Sequence, residues 1–564
     1  MNVDRTDACH QFYSRYFGIS QPFEHQIELW CRIEEKGFPL LLRAPTGSGK
    51  TEVAVAPFLA QFLNRRFTIA PRLIYVLPMR VLADSLAQRI EKYAQAISPH
   101  ITVKVQHGDV SMSPFFVADI VVTTLDQFAY GFARASQQVG RHLDLPAGAI
   151  AGSLVVFDEV HMYRDEFTFA VLRALMEILD RSRIPFVVMT ATMPRSLEES
   201  LFENIRRNGQ ALTGDVRLNN RLEVKIEDQP LVSADVGIDD QLEDIIRRQR
   251  TLIILNQVSR AQKVYNFLSS RLGEERVVLL HSRFTRADRK RHEERALGIL
   301  PSKRNGRLVI PEKAGVVIAT QVLEAGIDFS AELLLTEIAP ADALVQRAGR
   351  CARYENEQGR MMIFNLPDEE QSHLPYEQQV LERTREWLLQ HPDFDIRNFR
   401  QVCDFVNATL DYRASDYEAR DALVDLYECV LYADAAPGNI QVRRGKPVNL
   451  VVLEIPEGRG SRVERQILER LENSPQLLRE NVISADIRVA WGLFRDSRQP
   501  LRWELEWEYD RQLQRLKPKL RELQPGTGRD QDDVPVIAPF RTYILDNSVY
   551  KPQLGIEKDA SLIV

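Results

Sequence analysis

Long apolar runs are missing from this 564-residue chain. Its longest, such as Leu73–Leu77 and Ser153–Phe157, are strand-sized, well short of the roughly 20 residues a membrane helix needs. No membrane partner is therefore expected. Paired cysteines are missing too. There are five, Cys9, Cys31, Cys351, Cys403 and Cys429, none in a CxxC pair. That excludes a disulfide framework and a cysteine zinc site, and fits a reduced compartment. The N-terminal MNVDRTDACHQF lacks a basic start followed by an apolar stretch, so no export signal is expected and the location reads as cytoplasmic. Neither sign of charge dominates: 73 Lys+Arg stand against 79 Asp+Glu, a net charge of −6. A polyanion binder recognisable by its total charge is thus excluded, although a local basic stripe is not. With 44% hydrophobic and 27% charged residues, disordered, collagenous and coiled-coil classes are out. At roughly 150 residues per domain, three or four domains are expected.

What is present is a repeated alternation. Leu40–Leu42, Leu73–Leu77, Ile101–Val105, Ile120–Thr123, Leu154–Phe157 and Phe186–Met189 are β-rich runs. Amphipathic segments such as Val81–Ala94 and Thr168–Leu179 lie between them, with apolar residues three or four apart. The pattern returns in Thr251–Leu255, Val277–Leu280, Val316–Ala319, Leu333–Ile338 and Met361–Phe364. Strands alternating with helices predict parallel sheets with crossovers, hence two open α/β domains in tandem. Their join falls near Gly214–Asp240, and the polar stretch Pro301–Pro311 reads as a surface loop. Helices are predicted over Tyr376–Gln390 and Asp416–Tyr432, a mixed C-terminal module follows, and Pro525–Pro535 reads as a linker.

The strand Leu40–Leu42 runs into Ala44-Pro-Thr-Gly-Ser-Gly-Lys-Thr51 and then a helix-compatible Glu52–Leu63. Strand, glycine loop and helix make a triphosphate cradle: amides of Thr46, Gly47, Ser48 and Gly49 curl around phosphates at a helix N-terminus. Lys50 would reach the β/γ phosphates of ATP, and Thr51 would ligate Mg²⁺. Ala44 stands where the common pattern has its first glycine. The strand Leu154–Phe157 ends in Asp158-Glu159-Val-His161. Asp158 can hold Mg²⁺, and Glu159 can orient or deprotonate the attacking water. Together these predict an ATPase. Farther along, Gln346-Arg347-Ala-Gly349-Arg350-Cys-Ala-Arg353 places Gln346, Arg350 and Arg353 on one face if helical, where two guanidiniums can serve as arginine fingers.

In order, APTGSGKT, DEVH, Thr190-Ala-Thr192, Thr320–Asp328 (TQVLEAGID) and QRAGRCAR resemble the superfamily 2 helicases. The resemblance implies two tandem RecA-like parallel-sheet motor domains with a C-terminal accessory domain. It gives Gln26 the role of adenine reader and puts Gly326 and Asp328 beside the nucleotide. Pro78, Arg80, Thr123, Thr124, Thr190, Thr192 and Thr320 become nucleic-acid backbone contacts, which track phosphates without reading bases. Within that superfamily, His281-Ser-Arg283-Phe284, Thr336–Asp342, Tyr376–Thr384 and the tail Tyr550–Ile556 are similar to the CRISPR-associated helicase of type I interference systems. That likeness is strong over Pro22–Leu389. It implies a DNA helicase recruited by a guide-RNA surveillance complex, moving 3′ to 5′ on single-stranded or double-stranded DNA. Many members carry a nuclease domain built on a His-Asp pair, and no His-Asp dipeptide occurs among the ten histidines here. A separate nuclease subunit is therefore expected. The domain expectation is 1–225 and 226–370 for the motors, 371–435 for a helical linker and 436–564 for the accessory domain.

Two segments stay open between chemistry and packing. Trp503-Glu-Leu-Glu-Trp507-Glu-Tyr509, followed by Arg511, reads as a helix–helix core stripe ahead of a base-stacking platform, since the interleaved residues are acidic. The basic run Arg283–Arg295 divides evenly between a solvated helix face and a DNA backbone contact made by Arg283. Alternatives to the whole reading are a DNA-repair or RNA-processing helicase, a nucleotide-switched DNA clamp, and a nuclease, the last disfavoured by the missing metal cluster.

Overall fold

The computed structural model describes residues 3–45, 47–108, 110–139, 141–163, 166–205, 211–214, 220–232, 237–304, 307–323, 328–411, 416–431, 442, 447–456, 458, 460–496, 498–510, 515–523, 536–539 and 541–557. Two compact units divide the chain. The first comprises Met1–Asn219, Pro340–Gln346 and Arg383–Arg444, and the second Asn220–Ala339, Arg347–Glu382 and Gly445–Val564.

In the first unit, strands β1 (Leu40–Arg43), β2 (Arg72–Leu77), β3 (Val103–His107), β4 (Val110–Ser111), β5 (Ile120–Thr124), β6 (Ser153–Phe157), β7 (Phe186–Thr190) and β8 (Leu212–Thr213) form one sheet. Their order is β4-β3-β5-β2-β6-β7-β1-β8, and only β4 runs antiparallel. Every residue of β5, β6 and β7 is buried, as expected of parallel strands covered on both faces. Each large aliphatic side chain there contributes roughly 1.5–3 kcal/mol. Register then fixes the chemistry: Arg43 pairs with Thr190, and Val76 with Phe157. The carboxyl ends of β1, β6 and β7 thus lie side by side, which is where open α/β sheets bind ligands.

The chain also returns to this unit. Helix Asp416–Leu431 adds Ala422, Leu426, Cys429 and Val430 to the core beneath helix Glu166–Arg181. Arg134 Nη1 donates to Cys429 O at 2.8 Å and Val430 O at 2.5 Å, a cation on carbonyls at a helix C-terminus.

In the second unit, β9 (Arg221–Pro230), β10 (Thr251–Ile254), β11 (Val277–Leu280), β14 (Val316–Ala319), β15 (Leu333–Glu337) and β16 (Gln358–Asn365) form an all-parallel sheet in the order β11-β14-β10-β15-β16-β9. Between β11 and β14, β12 (Ser302–Arg304) and β13 (Arg307–Val309) make an antiparallel hairpin. The stretch expected as a surface loop at Pro301–Pro311 therefore carries ordered pairing. Both α/β motors are present as the alternation predicts. Among the described residues, no helix is long and apolar enough to cross a membrane.

The C-terminal module, part of the second unit, holds β17 (Pro447–Leu453), β18 (Val482–Asp486), β19 (Leu501–Asp510), β20 (Arg515–Glu522) and β21 (Thr542–Asp546), ordered β18-β17-β21-β19-β20. Here the expected helical stripe at Trp503–Tyr509 is corrected: the segment is strand β19. Ladder pairing decides it: Trp503–Asp510 runs antiparallel to Glu522–Arg515 of β20, and Trp503, Glu504 and Leu505 also pair with β21. The intervening Glu504 is buried and pairs with Arg521 and Arg541, which explains an acidic residue in a core strand. Arg511 and the Pro525–Pro535 linker lie outside the described residues.

Candidate nucleotide site and motor motifs

The phosphate loop leaves β1 and enters helix Lys50–Asn64. Gly49 takes φ +74°, and a Cβ there would fall 2.3 Å from Gln26 Nε2, so both backbone shape and space require glycine. Gln26 Nε2 donates to Gly49 O at 3.2 Å, and its Oε1 accepts from Phe23 N at 2.9 Å. The expected adenine reader is thereby tied to the loop that would hold the phosphates. His25 Nε2 lies 3.0 Å from Ser48 O and steadies the same turn. Thr46 lies outside the described residues.

Lys50, Thr51, Asp158 and Glu159 come together as the spacing predicts. Lys50 Nζ donates to Ala44 O at 3.2 Å and sits 3.4 Å from the Glu159 carboxylate. Asp158 is buried. Its Oδ2 accepts from Tyr75 Oη at 2.6 Å and its Oδ1 from Glu159 N at 2.8 Å. Burial, reinforced by the Glu159 charge, pushes the Asp158 carboxyl up to about 6. Glu159 itself has φ +52°, a left-handed conformation that costs a non-glycine residue roughly 1–3 kcal/mol and is concentrated at functional sites. Thr51 Oγ1 accepts from Arg89, which also faces Glu52 at 3.7 Å, and Tyr93 Oη donates to Glu52 Oε1 at 2.9 Å.

A hard cation fits this donor set. One hydroxyl (Thr51) and one buried carboxylate (Asp158) are the oxygen ligands Mg²⁺ takes when phosphates and water complete its shell. The Ser48 hydroxyl, buried without a hydrogen-bond partner among the described residues, is a further polar atom awaiting a ligand in the loop.

His161 is buried, not a surface residue. Its Nε2 is 2.5 Å from Gln346 Nε2, and its Nδ1 is 3.0 Å from Thr190 Oγ1. An amide N–H can only donate, so His161 Nε2 accepts and its proton resides on Nδ1. Nδ1–H then donates to Thr190, whose hydroxyl donates onward to Thr192 O at 3.3 Å. The DEVH turn and the Thr190-Ala-Thr192 segment are therefore one hydrogen-bonded chain.

The helix beginning at Ala341 ends at Ala348. This corrects the expected shared face: Arg350 and Arg353 lie beyond the helix, because Arg350 N turns back to Arg347 O and Cys351 N to Ala348 O. Arg350 Nε donates to Leu323 O at 3.0 Å, and Arg353 pairs with Asp328 at 2.7 Å. Gly326 lies outside the described residues. Arg347, which sequence reasoning passed over, is fully buried, bonded to Thr336 Oγ1, Asn256 Oδ1 and the Tyr376 hydroxyl's oxygen.

Of the expected backbone contacts, Thr123, Thr124, Thr190, Thr192 and Thr320 are buried, and Thr123 Oγ1 is committed to Gln106 O at 2.7 Å. Pro78 lies two residues before the exposed Arg80, which opens the helix Arg80–Ile97 after its N-cap Met79. That guanidinium crowds Gly108, where a Cβ would meet it at 2.7 Å. Sequence reasoning also missed Tyr75, Arg89 and Tyr93. Their only signal was position, on a strand and a helix flanking the loop.

Residues 23–200 match the DEAD/DEAH box helicase family, and residues 247–356 match the C-terminal part of the CRISPR-associated nuclease/helicase Cas3 family. A CRISPR-associated helicase Cas3 of Thermoproteus tenax is 35% identical over 376 residues, which is 63% of this chain and 60% of that protein. The crystal structure of T. fusca Cas3 with ADP aligns at a TM-score of 0.64 and 21% identity, covering 85% of this chain and 65% of that one. A CRISPR RNA-guided surveillance complex in a pre-nicking state aligns at 0.57 and 19% identity, covering 93% of this chain and 67% of the matched one. The chain thus spans about 60% of the length of the T. tenax relative. Both motor blocks are thus matched in order, by the two family models and by related sequences through the motor region, and the chain is similar to the Cas3-like helicases of superfamily 2.

Proposed function

We propose that this chain is an ATP-driven DNA helicase and translocase of CRISPR interference, recruited by a guide-RNA surveillance complex, with the nuclease supplied by a separate subunit. The observation that carries the reading is the Lys50–Glu159–Asp158–Tyr75 cluster at the carboxyl ends of neighbouring strands. In it, Lys50 exchanges the Glu159 carboxylate for the β/γ phosphates when ATP enters. Thr51 and Asp158 would hold Mg²⁺, which would supply positive charge to the phosphates. Glu159, released from Lys50, orients and deprotonates water, while Arg350 and Arg353 supply cationic charge to the transition state. Gln26, Gly47, Ser48, Gly49 and Asp328 complete the nucleotide set. The His161–Thr190–Thr192 chain passes the hydrolysis state to the strand-gripping segments. The domain division 1–225, 226–370, 371–435 and 436–564 is our working one, and a cytoplasmic location accords with a DNA substrate.

ATP hydrolysis by the purified chain, with Mg²⁺ alone, with single-stranded DNA and with RNA, tests this beside Lys50→Ala. Strong stimulation by DNA that is lost in the variant is the expected result. Stimulation by RNA alone sinks the CRISPR reading.

A further inference from the structure

Beyond the motor motifs, the second unit carries a contact that no motor motif explains. Its C-terminal tail folds back onto the segment that follows β11. Gln262 Nε2 donates to Leu554 O at 2.6 Å and to Ile556 O at 3.0 Å. Ile556 N donates to Arg283 O at 3.2 Å. The Tyr550 hydroxyl donates to Asp288 Oδ2 at 2.6 Å and accepts from Thr285 N at 3.1 Å. His281 closes the clasp: its Nδ1 accepts from Arg283 N at 3.1 Å, which leaves Nε2–H to donate to Leu554 O at 2.9 Å. Gly555 takes φ +74°, and a Cβ there would fall 2.6 Å from Arg283 O. Backbone approach this close is reserved for glycine.

Within the loop so clasped, Arg283 stands apart. Its Nη1 is buried without a hydrogen-bond partner among the described residues, and no carboxylate among them forms an ion pair with it. Three neighbouring arginines are spent: Arg289 on Glu293, Arg291 on Asp288, and Arg295 on the carbonyls of Glu274 and Val277. A guanidinium held partly out of water without an anion is a phosphate site in waiting. We infer that the tail Tyr550–Ile556 is a positioning element, holding the His281–Thr285 loop so that Arg283 meets a phosphodiester of the translocated strand. This rests on the nucleic-acid motor reading above. It makes the C-terminal module a determinant of strand grip, because the tail joins that module to the motor sheet.

The test compares the full chain with Arg283→Gln, Tyr550→Phe and Gly555→Ala, each first checked by thermal melting. Two quantities are read: ATP hydrolysis without nucleic acid, and fluorescence anisotropy of a labelled single-stranded oligonucleotide across a salt series. Tyr550→Phe and Gly555→Ala should keep the basal hydrolysis rate. Arg283→Gln should weaken binding about tenfold, as the loss of one charge-assisted hydrogen bond does. It should also reduce the salt slope by about 0.7, one phosphate contact on a single strand. Tyr550→Phe should reproduce that loss in part, Gly555→Ala in full, and neither should add to it in the Arg283→Gln background. Tail variants with wild-type affinity and slope beside a weakened Arg283→Gln overturn the inference while leaving the motor reading intact. So does an Arg283→Gln that binds normally. A wild-type chain that binds no nucleic acid overturns both.

Discussion

The Tyr75 hydroxyl donates to Asp158 Oδ2 at 2.6 Å from the strand next to the one that Asp158 ends. Asp158 is thereby held in one orientation, with the proton on the tyrosine, whose own ionisation burial and the carboxylate push well above its usual range. Removing that hydroxyl loses a hydrogen bond to a charged group, worth about 1.5–3 kcal/mol. Tyr75→Phe should therefore raise the Mg²⁺ concentration at which a fluorescent ADP analogue binds half-maximally by about tenfold. An unchanged Mg²⁺ midpoint would show that Asp158 needs no such support.

Lys50 and Glu159 make a different kind of pair, one that must part for ATP to bind. Their 3.4 Å contact is partly open to solvent, at 7% and 22% exposure. Glu159→Gln removes the competing charge and leaves Lys50 free for phosphates. Nucleotide should bind several-fold tighter, while hydrolysis falls by about 100-fold or more, as expected when a general base is lost. Single-turnover hydrolysis beside equilibrium nucleotide titration separates the two effects. Weaker nucleotide binding in this variant would contradict the exchange.

At Gly49, strain and space act together. Alanine there keeps a φ of +74° that costs roughly 1–2 kcal/mol and pushes a methyl into Gln26. Gly49→Ala should lower the melting temperature modestly and abolish detectable nucleotide binding. Adding Gln26→Ala should relieve the clash without restoring the loop, so the double variant stays inactive. Recovery of nucleotide binding in the double variant would show that crowding alone set the requirement.

How legible these features were depends on their range in sequence. The loop and DEVH turn were readable because each is a contiguous string attached to a strand, and parallel-strand register brings the strand ends together. Tyr75, Arg89 and Arg347 were not, because their partners lie from about ten to more than eighty residues away and nothing local distinguishes a tyrosine inside an apolar strand. The QRAGR run failed for another reason: spacing of four and three presumes a helix, and this one stops at Ala348. At Trp503–Tyr509 two periods fitted the aromatics, and only the buried pairing of Glu504 with arginines from β20 and the Arg541 segment makes a strand of acidic residues stable. The tail was legible as a resemblance alone, since its bonds to His281 and Gln262 are made by backbone carbonyls, which carry no sequence signal.

The tail clasp also predicts how acid acts on the second unit. His281 is buried, and desolvation, with Arg283, Arg289 and His292 nearby, pulls it down to about 3 against the weaker pull of the Leu554 carbonyl. His292 is lowered by burial as well. Between about 6.5 and 3 the unfolded chain therefore binds a proton that the folded one refuses. Stability is full above about 6.5 and is lost as pH falls, by about 1.4 kcal/mol per pH unit for such a histidine. Denaturant unfolding of the full chain between pH 7.5 and 5 should show this loss. His281→Gln keeps an N–H donor but has nothing to protonate. It should be less stable than wild type at pH 7.5, where the native ring packs best, and the gap should shrink by about 2 kcal/mol at pH 5. Parallel stability curves for the two proteins across that range would mean that His281 takes up its proton at the same pH in the folded and the unfolded chain. The Nδ1 that accepts from Arg283 N would then need a different partner.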